Sequence, residues 1–349
     1  MTLRSALRDL QWRRRRVLVA VCGTPLVFSM ALVLAGVAHG FDVETNHTMA
    51  EFRADGWIVG DGAAGPFIGQ SLLLTSVIAD VRREPGVTDA NAIIFSRKTV
   101  GLASPLEVNL FGVASRGVAV PVVDHGRGPT KSGEIVVSTT LRSHIGNTVY
   151  LARTPFRVVG SIDNWTAVAG VSNVMVTLAD ARRLAFLDEP IISAIAVSGT
   201  PRAVPRGTRY MTNAVAEQDL LRAVRNARAG IALVDILLWI VAGTIIGSVI
   251  YLSALERTRD FAVFKATGTS SLVILVDLAA QAMLVALASA IVAVGIAKVI
   301  APLFPIPVVI PLRSLLSLPL LAMAVGLVAS AAGLRRAVTV DPAIALSTA

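Results

Sequence analysis

The stretch Gly230–Leu252, GIALVDILLWIVAGTIIGSVIYL, runs 23 residues with Asp235 as its only charge. At 1.5 Å per helical residue it is long enough to cross a hydrocarbon core of about 30 Å. Three further stretches match it in length and polarity: Val17–Ala38, Leu272–Ala297 and Ser314–Leu334. They account for a chain of 349 residues that is 54% apolar and only 16% charged, with a mean hydropathy of +0.69. Soluble domains carry about 25% charged residues. Between the first and second stretches lies a long segment, 39–229, with ordinary soluble composition and enough chain to bury its own core.

Charge supplies the orientation. Segment 39–229 holds 19 of the 32 basic and 17 of the 23 acidic residues, so it is nearly neutral. Of the other 13 basic residues, 11 fall on one side of the apolar stretches: Arg4, Arg8, Arg13, Arg14, Arg15, Arg16, Arg257, Arg259, Lys265, Arg335 and Arg336. Only Lys298 and Arg313 fall on the other. The positive-inside rule therefore puts both termini and the 253–271 loop in the cytoplasm, and segment 39–229 outside. The overall charge of +9 flanks apolar spans and forms no stripe on a soluble face, which argues against nucleic-acid binding. Cys22 is the single cysteine, so the outer domain is held by packing without a disulfide.

The expected architecture is thus an integral membrane α-helical protein of four transmembrane helices, with a large extracytoplasmic α+β domain inserted between helices 1 and 2. Its parts are a cytoplasmic N-terminal segment 1–16, helix 1 at 17–38, the outer domain 39–229, helix 2 at 230–252, and a cytoplasmic loop 253–271. Helix 3 at 272–297, an external loop 298–313, helix 4 at 314–334 and a cytoplasmic tail 335–349 complete it. Arg13–Arg16 before an apolar run resembles a secretory signal, yet 22 apolar residues exceed an h-region of about 7–15, so retention as a membrane helix is expected. Leu3, Leu7 and Leu10 at helical spacing make the N-terminal segment an amphipathic helix on the inner membrane surface.

In the outer domain, β-rich runs at Gly56–Val59, Ala92–Ser96, Glu107–Val113, Glu134–Val137, Phe156–Gly160, Val174–Thr177 and Ser193–Val197 alternate with a helical run at Ser71–Arg83. From Asn213 the pattern turns helical with no Gly or Pro before Gly230, and predicts one continuous stalk helix entering the second span.

Few residues offer reaction chemistry. Gly60, Gly62 and Gly65 fit G-x-G-x-x-G, but Pro66 follows at once where the dinucleotide motif opens a helix, so a Gly-rich loop is the reading. No G-x-x-x-x-G-K-S/T occurs, so ATP phosphates have no cradle in this sequence. His39, His47, His125 and His144 lack metal spacing with one another or with Cys22, and no nucleophile motif appears. No catalytic residue, metal site or cofactor site is expected. Asp235, and Asp277 with Gln281 one turn on, are the polar groups at membrane depth, read as interfacial or helix-facing. Gly243 and Gly247 form a GxxxG suited to close helix packing within or between subunits, and Ala329 with Gly333 a weaker version.

The most informative cytoplasmic segment is Glu256-Arg257-Thr258-Arg259-Asp260-Phe261-Ala262-Val263-Phe264-Lys265-Ala266-Thr267-Gly268. It reads as a short charged helix with exposed aromatics that something must cover. Here the sequence resembles the FtsX-like permeases of ABC transporters, including the MacB and LolC/LolE types, which carry E-R-x-R-E-(I/F)-(A/G)-(V/I)-x-(K/R)-A-x-G-A between the second and third spans. Asp260 stands for the usual Glu. Val340-Asp341-Pro342-Ala343-Ile344-Ala345-Leu346 is similar to the family's x-D-P-A-E-A-L ending, with Ile344 replacing the acidic residue. Val136-Val137-Ser138, Gly146-Asn147-Thr148-Val149 and Phe156–Gly160 look like its outer-domain core.

The resemblance implies a non-catalytic permease subunit of the cell membrane that pairs with a cytoplasmic ABC ATPase, which binds the ATP and Mg. It implies a dimer with a second permease copy or a paralogous permease. Glu256, Arg257, Arg259, Asp260, Phe261, Phe264, Lys265 and Gly268 fall in the segment that docks on the ATPase. Closure on ATP would pass through the spans to the outer domain, moving or extruding a substrate from the periplasm or outer leaflet. The alternative is a mechanotransmitter that activates an extracellular partner such as a cell-wall hydrolase, and a periplasmic adaptor is a further candidate partner.

Overall fold

The computed structural model describes residues 14–69, 71–102, 104–256, 270–304 and 308–318, with isolated positions 320, 323, 324 and 328. It divides into two compact units, one of residues 1–40 and 228–349, the other of residues 41–227.

The first unit is helical. Helix α1 spans Arg14–Phe52, α5 spans Arg225–Glu256 and α6 spans Ser271–Ile300. Segments Gly23–Phe52, Arg225–Ser248 and Met283–Leu303 are long and apolar enough to cross a membrane. Their shared core holds Phe28, Leu32 and Val33 of α1, Ala242 and Ile246 of α5, and Ala286, Ala290, Ala293 and Ala297 of α6. The alanine stripe on α6 alternates steps of four and three, which keeps it on one face and lets the backbones approach closely. Gly36 serves the same end, because a Cβ there would overlap Val308, and its carbonyl accepts from Val309 N–H at 3.1 Å. Residues 312–318 are helical, and most of the expected fourth span lies outside the described residues.

The second unit is a mixed α/β domain built on an 11-stranded sheet. Its main strands are β1 (Gly56–Gly60), β3 (Val87–Val100), β4 (Leu106–Val113), β6 (Glu134–Ser138), β7 (Thr148–Leu151), β8 (Thr154–Ile162), β10 (Val171–Thr177), β12 (Ala194–Gly199) and β13 (Thr208–Thr212). Short strands β5 (His125–Gly126) and β9 (Thr166–Ala167) join it, while β2 (Leu73–Leu74) and β11 (Ile191–Ile192) pair separately. The pairings β3–β4–β10–β6–β8–β7 return to β3 through Val100 opposite Leu151, closing a six-stranded ring. β4/β10 and β6/β8 are its parallel pairs. Strands β12, β1 and β13 extend from the first half of β3.

Alternation decides what each face buries. Val108 and Leu110 of β4, Val174 and Val176 of β10, Ile135 and Val137 of β6, and Phe156 and Val158 of β8 face one core. Helices α2 (Val77–Arg83) and α3 (Leu178–Phe186) pack against it. Gly112 stands where a Cβ would strike Ala181, so its lack of a side chain seats α3. Asn109 and Phe111, on the other face of β4, belong to the layer that α1 covers.

Two expectations are corrected. The helical reading of Ser71–Arg83 fails at its start: Leu73–Leu74 is a strand paired with Ile191–Ile192, and α2 begins at Val77. Thr75 explains the change, since its amide and hydroxyl both donate to Pro190 O at 2.8 Å and hold the chain extended. The continuous stalk helix is also broken. Helix α4 covers Asn213–Arg222, and a turn at Ala223–Val224 separates it from α5. Val224 N–H bonds to Leu221 O at 3.2 Å, an i to i−3 tightening that tucks Val224 inward while Arg222 and Arg225 stay exposed.

Candidate functional site

Glu256 ends α5. Arg257, Arg259, Asp260, Phe261, Phe264, Lys265 and Gly268 lie outside the described residues. Gly243 and Gly247 are half-buried on α5, next to the fully packed Ala242 and Ile246. Leu233, Leu237 and Ile240 on another face are more than half exposed. Thr244 and Ser248 donate back to Ile240 O at 2.9 Å and Thr244 O at 2.8 Å, which removes their polarity from an apolar surface. Asp235 is hydrogen-bonded to Trp239 one turn on, whose ring packs on Phe28 at 5.4 Å. Asp277 and Gln281 lie on α6, and their side chains fall outside the described set.

The sequence reading missed how the outer domain is gripped. Helix α1 continues to Phe52, and Phe41, Glu44, Thr45, Thr48, Met49 and Phe52 are all buried while Val43, Asn46, His47 and Ala50 are exposed. Spacings of three and four put the buried set on one stripe. Phe52 sits among four rings: Trp57 at 5.7 Å, Phe67 at 6.0 Å, Phe111 at 5.2 Å and Trp165 at 6.5 Å. Thr48 donates to Thr166 O at 2.7 Å and accepts from Asn173 Nδ2 at 3.3 Å. Asn173 Oδ1 in turn accepts from Asn109 Nδ2 at 2.9 Å.

Glu44 completes this grip. Its carboxylate accepts from Ala169 N–H at 3.1 Å and Gly170 N–H at 2.7 Å. Those amides belong to a turn in which Val168, Ala169 and Gly170 all have positive φ, at 60°, 67° and 81°. A β-branched residue there is strained by roughly 1–3 kcal/mol, and the two amides converging on one carboxylate offset that cost.

Helix α4 repeats the device from the other end of the domain. Asp219, fully buried, accepts from Phe67 N–H at 2.8 Å and Ile68 N–H at 2.9 Å through Oδ2. Its Oδ1 has Arg222 Nε at 3.9 Å. Phe67 carries the tie into the aromatic cluster, with Trp57 at 5.1 Å and Phe95 at 5.7 Å. The two ends also meet directly: Trp57 Nε1 donates to Asn213 Oδ1 at 2.8 Å, Asn213 Nδ2 donates to Ala54 O at 2.6 Å, and Gly56 pairs with Thr212.

This arrangement gives the G-x-G-x-x-G sequence a structural cause. Gly60 ends β1, and the loop after it folds onto α4, where a Cβ on Gly65 would overlap the Asp219 side chain. Among the described residues no group of His, Cys, Asp and Glu is placed to hold a metal ion. A third buried carboxylate, Asp180, anchors α3: it accepts from Ser132 Oγ at 2.6 Å, Gly133 N–H at 3.0 Å and Thr177 Oγ1 at 2.9 Å, and pairs with Arg183. Glu134 organises the 127–133 loop, accepting from Arg127 at 2.5 Å and from the Thr130 and Lys131 amides at 2.9 and 3.1 Å. The Arg127 guanidinium holds that carboxyl well below the usual range.

Three helices long and apolar enough to cross a membrane, with an α/β domain in the same chain, define the class as a membrane protein. Comparison supplies the family. Residues 233–342 match the FtsX-like permease C-terminal family. An uncharacterized ABC transporter permease of Mycobacterium tuberculosis is 45% identical over 341 residues, 97% of each chain, and one of Mycobacterium bovis is 43% identical over 98% of each. The chain belongs to the FtsX-like family of ABC transporter permeases. Among solved structures, the extracellular domain of the noncanonic ABC-type transporter YknZ covers 45% of this chain and 98% of its own at 16% identity, TM-score 0.34. The periplasmic region of MacB from Actinobacillus actinomycetemcomitans covers 49% and 94% at 12% identity, TM-score 0.35.

Proposed function

We propose that this permease converts ATP binding and hydrolysis in a separate cytoplasmic ATPase into movement of its outer domain, and thereby moves or extrudes a substrate. In this reading four helices span the membrane with both termini inside, and two permease chains work together. Phe261 and Phe264 anchor the ATPase contact, Glu256, Arg257, Arg259 and Asp260 orient it, and Gly243 and Gly247 pack helices between chains. ATP and Mg sit in the partner. The observation that carries the reading is the segment Glu256–Gly268 between two apolar helices, in a sequence with no phosphate-binding loop.

The double grip on the outer domain also favours purely mechanical signalling to an extracellular partner, because Glu44 and Asp219 tie both helices into it. Stimulation of ATPase turnover in proteoliposomes by candidate substrates, set against stimulation by a purified wall hydrolase, separates the two. The ATPase contact is tested by co-purification and coupled turnover of Phe261→Ala with Phe264→Ala. Loss of both is expected, since an anchor aromatic carries roughly 2 kcal/mol or more of a contact. Intact coupling refutes the assignment.

A further inference from the structure

Strand β13 ends the order of the large sheet and is paired on one side only, with β1. Asp61 N–H donates to Gly207 O at 3.0 Å, one step beyond the register pair Gly60–Thr208. Hydrogen-bonded positions alternate along an antiparallel pair, so Arg209 and Met211 turn their amides and carbonyls toward β1. Thr208, Tyr210 and Thr212 therefore turn theirs outward. Thr208 N–H is taken by Pro205 O at 3.1 Å. Thr208 O, Tyr210 N–H and O, and Thr212 N–H have no partner among the described residues. The strand is nonetheless fixed in place. The Tyr210 ring lies over Gly56, where a Cβ would overlap it, and its hydroxyl donates to Asp55 O at 3.3 Å.

An open edge is a template for another strand, and the flanking side chains decide which. Thr200–Ala216 contains Arg202, Arg206 and Arg209 and no Asp or Glu. Arg206 and Arg209 border the open groups, are exposed, and form no ion pair among the described residues. Arg209 donates to Ala63 O, which holds its guanidinium without neutralising it. Of the carboxylates at the two ends of β1, Asp55 is engaged by Gly199 N–H at 2.6 Å, which leaves Asp61 against two arginines. The edge is thus positive. That charge works against a second copy, because two β13 strands centred on Tyr210 would bring four guanidinium groups onto one short ladder. It favours an acidic strand.

We propose that the free edge of β13 takes an extended acidic segment of a partner protein as an added strand. Tyr210 exchanges the central hydrogen bonds with it, and Arg206 and Arg209 meet its carboxylates. In this mode backbone bonds supply affinity and alternate side chains supply specificity. The site lies wholly within residues 41–227 and draws on neither the spans nor an ATPase. The probe is a fluorescent heptapeptide, EVEVEVE, titrated by anisotropy against the full chain in phosphatidylcholine nanodiscs. Saturable binding is expected. N-methylation of the three valines strips the edge-facing N–H groups and should weaken it at least about fivefold. Arg206→Gln with Arg209→Gln should weaken the parent peptide by about fivefold, and the peptide KVKVKVK should not bind. Tyr210→Val should keep binding. Tyr210→Pro should abolish it, because proline there removes an outward N–H and no ladder bond to β1. Equal binding of the N-methylated peptide overturns strand addition, whether or not the proline variant folds. Equal binding of the lysine peptide overturns the choice of an acidic partner, and absence of saturable binding by EVEVEVE overturns the site. Disulfide-linked dimers of Tyr210→Cys in a Cys22→Ser chain, formed without peptide, assign the edge to a second copy and overturn the proposal.

Discussion

Replacing Asp219 with Ala removes an acceptor from two adjacent amides. Each hydrogen bond to a charged acceptor contributes about 1.5–3 kcal/mol net, and the Asp219 side chain is wholly buried, so water replaces it poorly. Taking the lower end for each bond, the 61–69 loop loses about 3 kcal/mol of local stability, roughly a hundredfold in its opening equilibrium. Hydrogen exchange of the full chain in nanodiscs, followed on peptides containing Phe67 and Ile68, should show that acceleration while peptides from β4 and β10 keep their protection. Gly65→Ala supplies an internal control. Its methyl would overlap the Asp219 side chain, so alone it should loosen the same loop by about 1–3 kcal/mol. The overlap involves Asp219 Cβ as well as its carboxyl group, so it persists in the Asp219→Ala background and is removed only by Asp219→Gly. Gly65→Ala combined with Asp219→Gly should therefore fall short of the summed losses of the two single variants by at least about 1 kcal/mol. Unchanged protection at Phe67 and Ile68, or strict additivity of the two substitutions, would refute the role given to this carboxylate.

Phe52→Ala should destabilise the outer domain by about 3–5 kcal/mol in denaturant unfolding, and Phe52→Leu by clearly less, because the ring occupies the centre of four others. Glu134→Gln should lower stability at neutral pH and cost progressively less as pH falls from about 4.5 toward 2. The Glu134 carboxyl is held below its ordinary value near 4.5, so its contribution is present above that pH and is lost as pH falls toward the lowered folded value. Acid titrations of the two proteins compared between pH 7 and pH 2 check both halves.

The sequence announced the strands well where alternation was strong. Glu107–Val113 and Glu134–Val137 were recognisable because one face is uniformly aliphatic and the other is not. It understated β3, whose second half carries Ser96, Arg97, Lys98 and Thr99 and reads as polar surface, yet is held by seven cross-strand partners on β4. Strand β13 escaped notice because Thr208–Thr212 has a single large aliphatic, Met211, and owes its form to pairing with β1. The extension of α1 to Phe52 hid behind polar residues. Glu44, Thr45 and Thr48 look like solvent-exposed positions, and only their i, i+4 relation to Phe41, Met49 and Phe52 shows a stripe. Asp219 carried no local signal at all, since its partners lie 151 and 152 residues away in the chain.

The meeting of Trp57, Asn213 and Ala54 has a mechanical consequence. The segment where α1 ends and the segment where α4 begins are fastened to each other at strands β1 and β13, across a separation of 159 residues. A push arriving along α1 and a pull arriving along α4 are therefore delivered at one place, like two hands on a single handle.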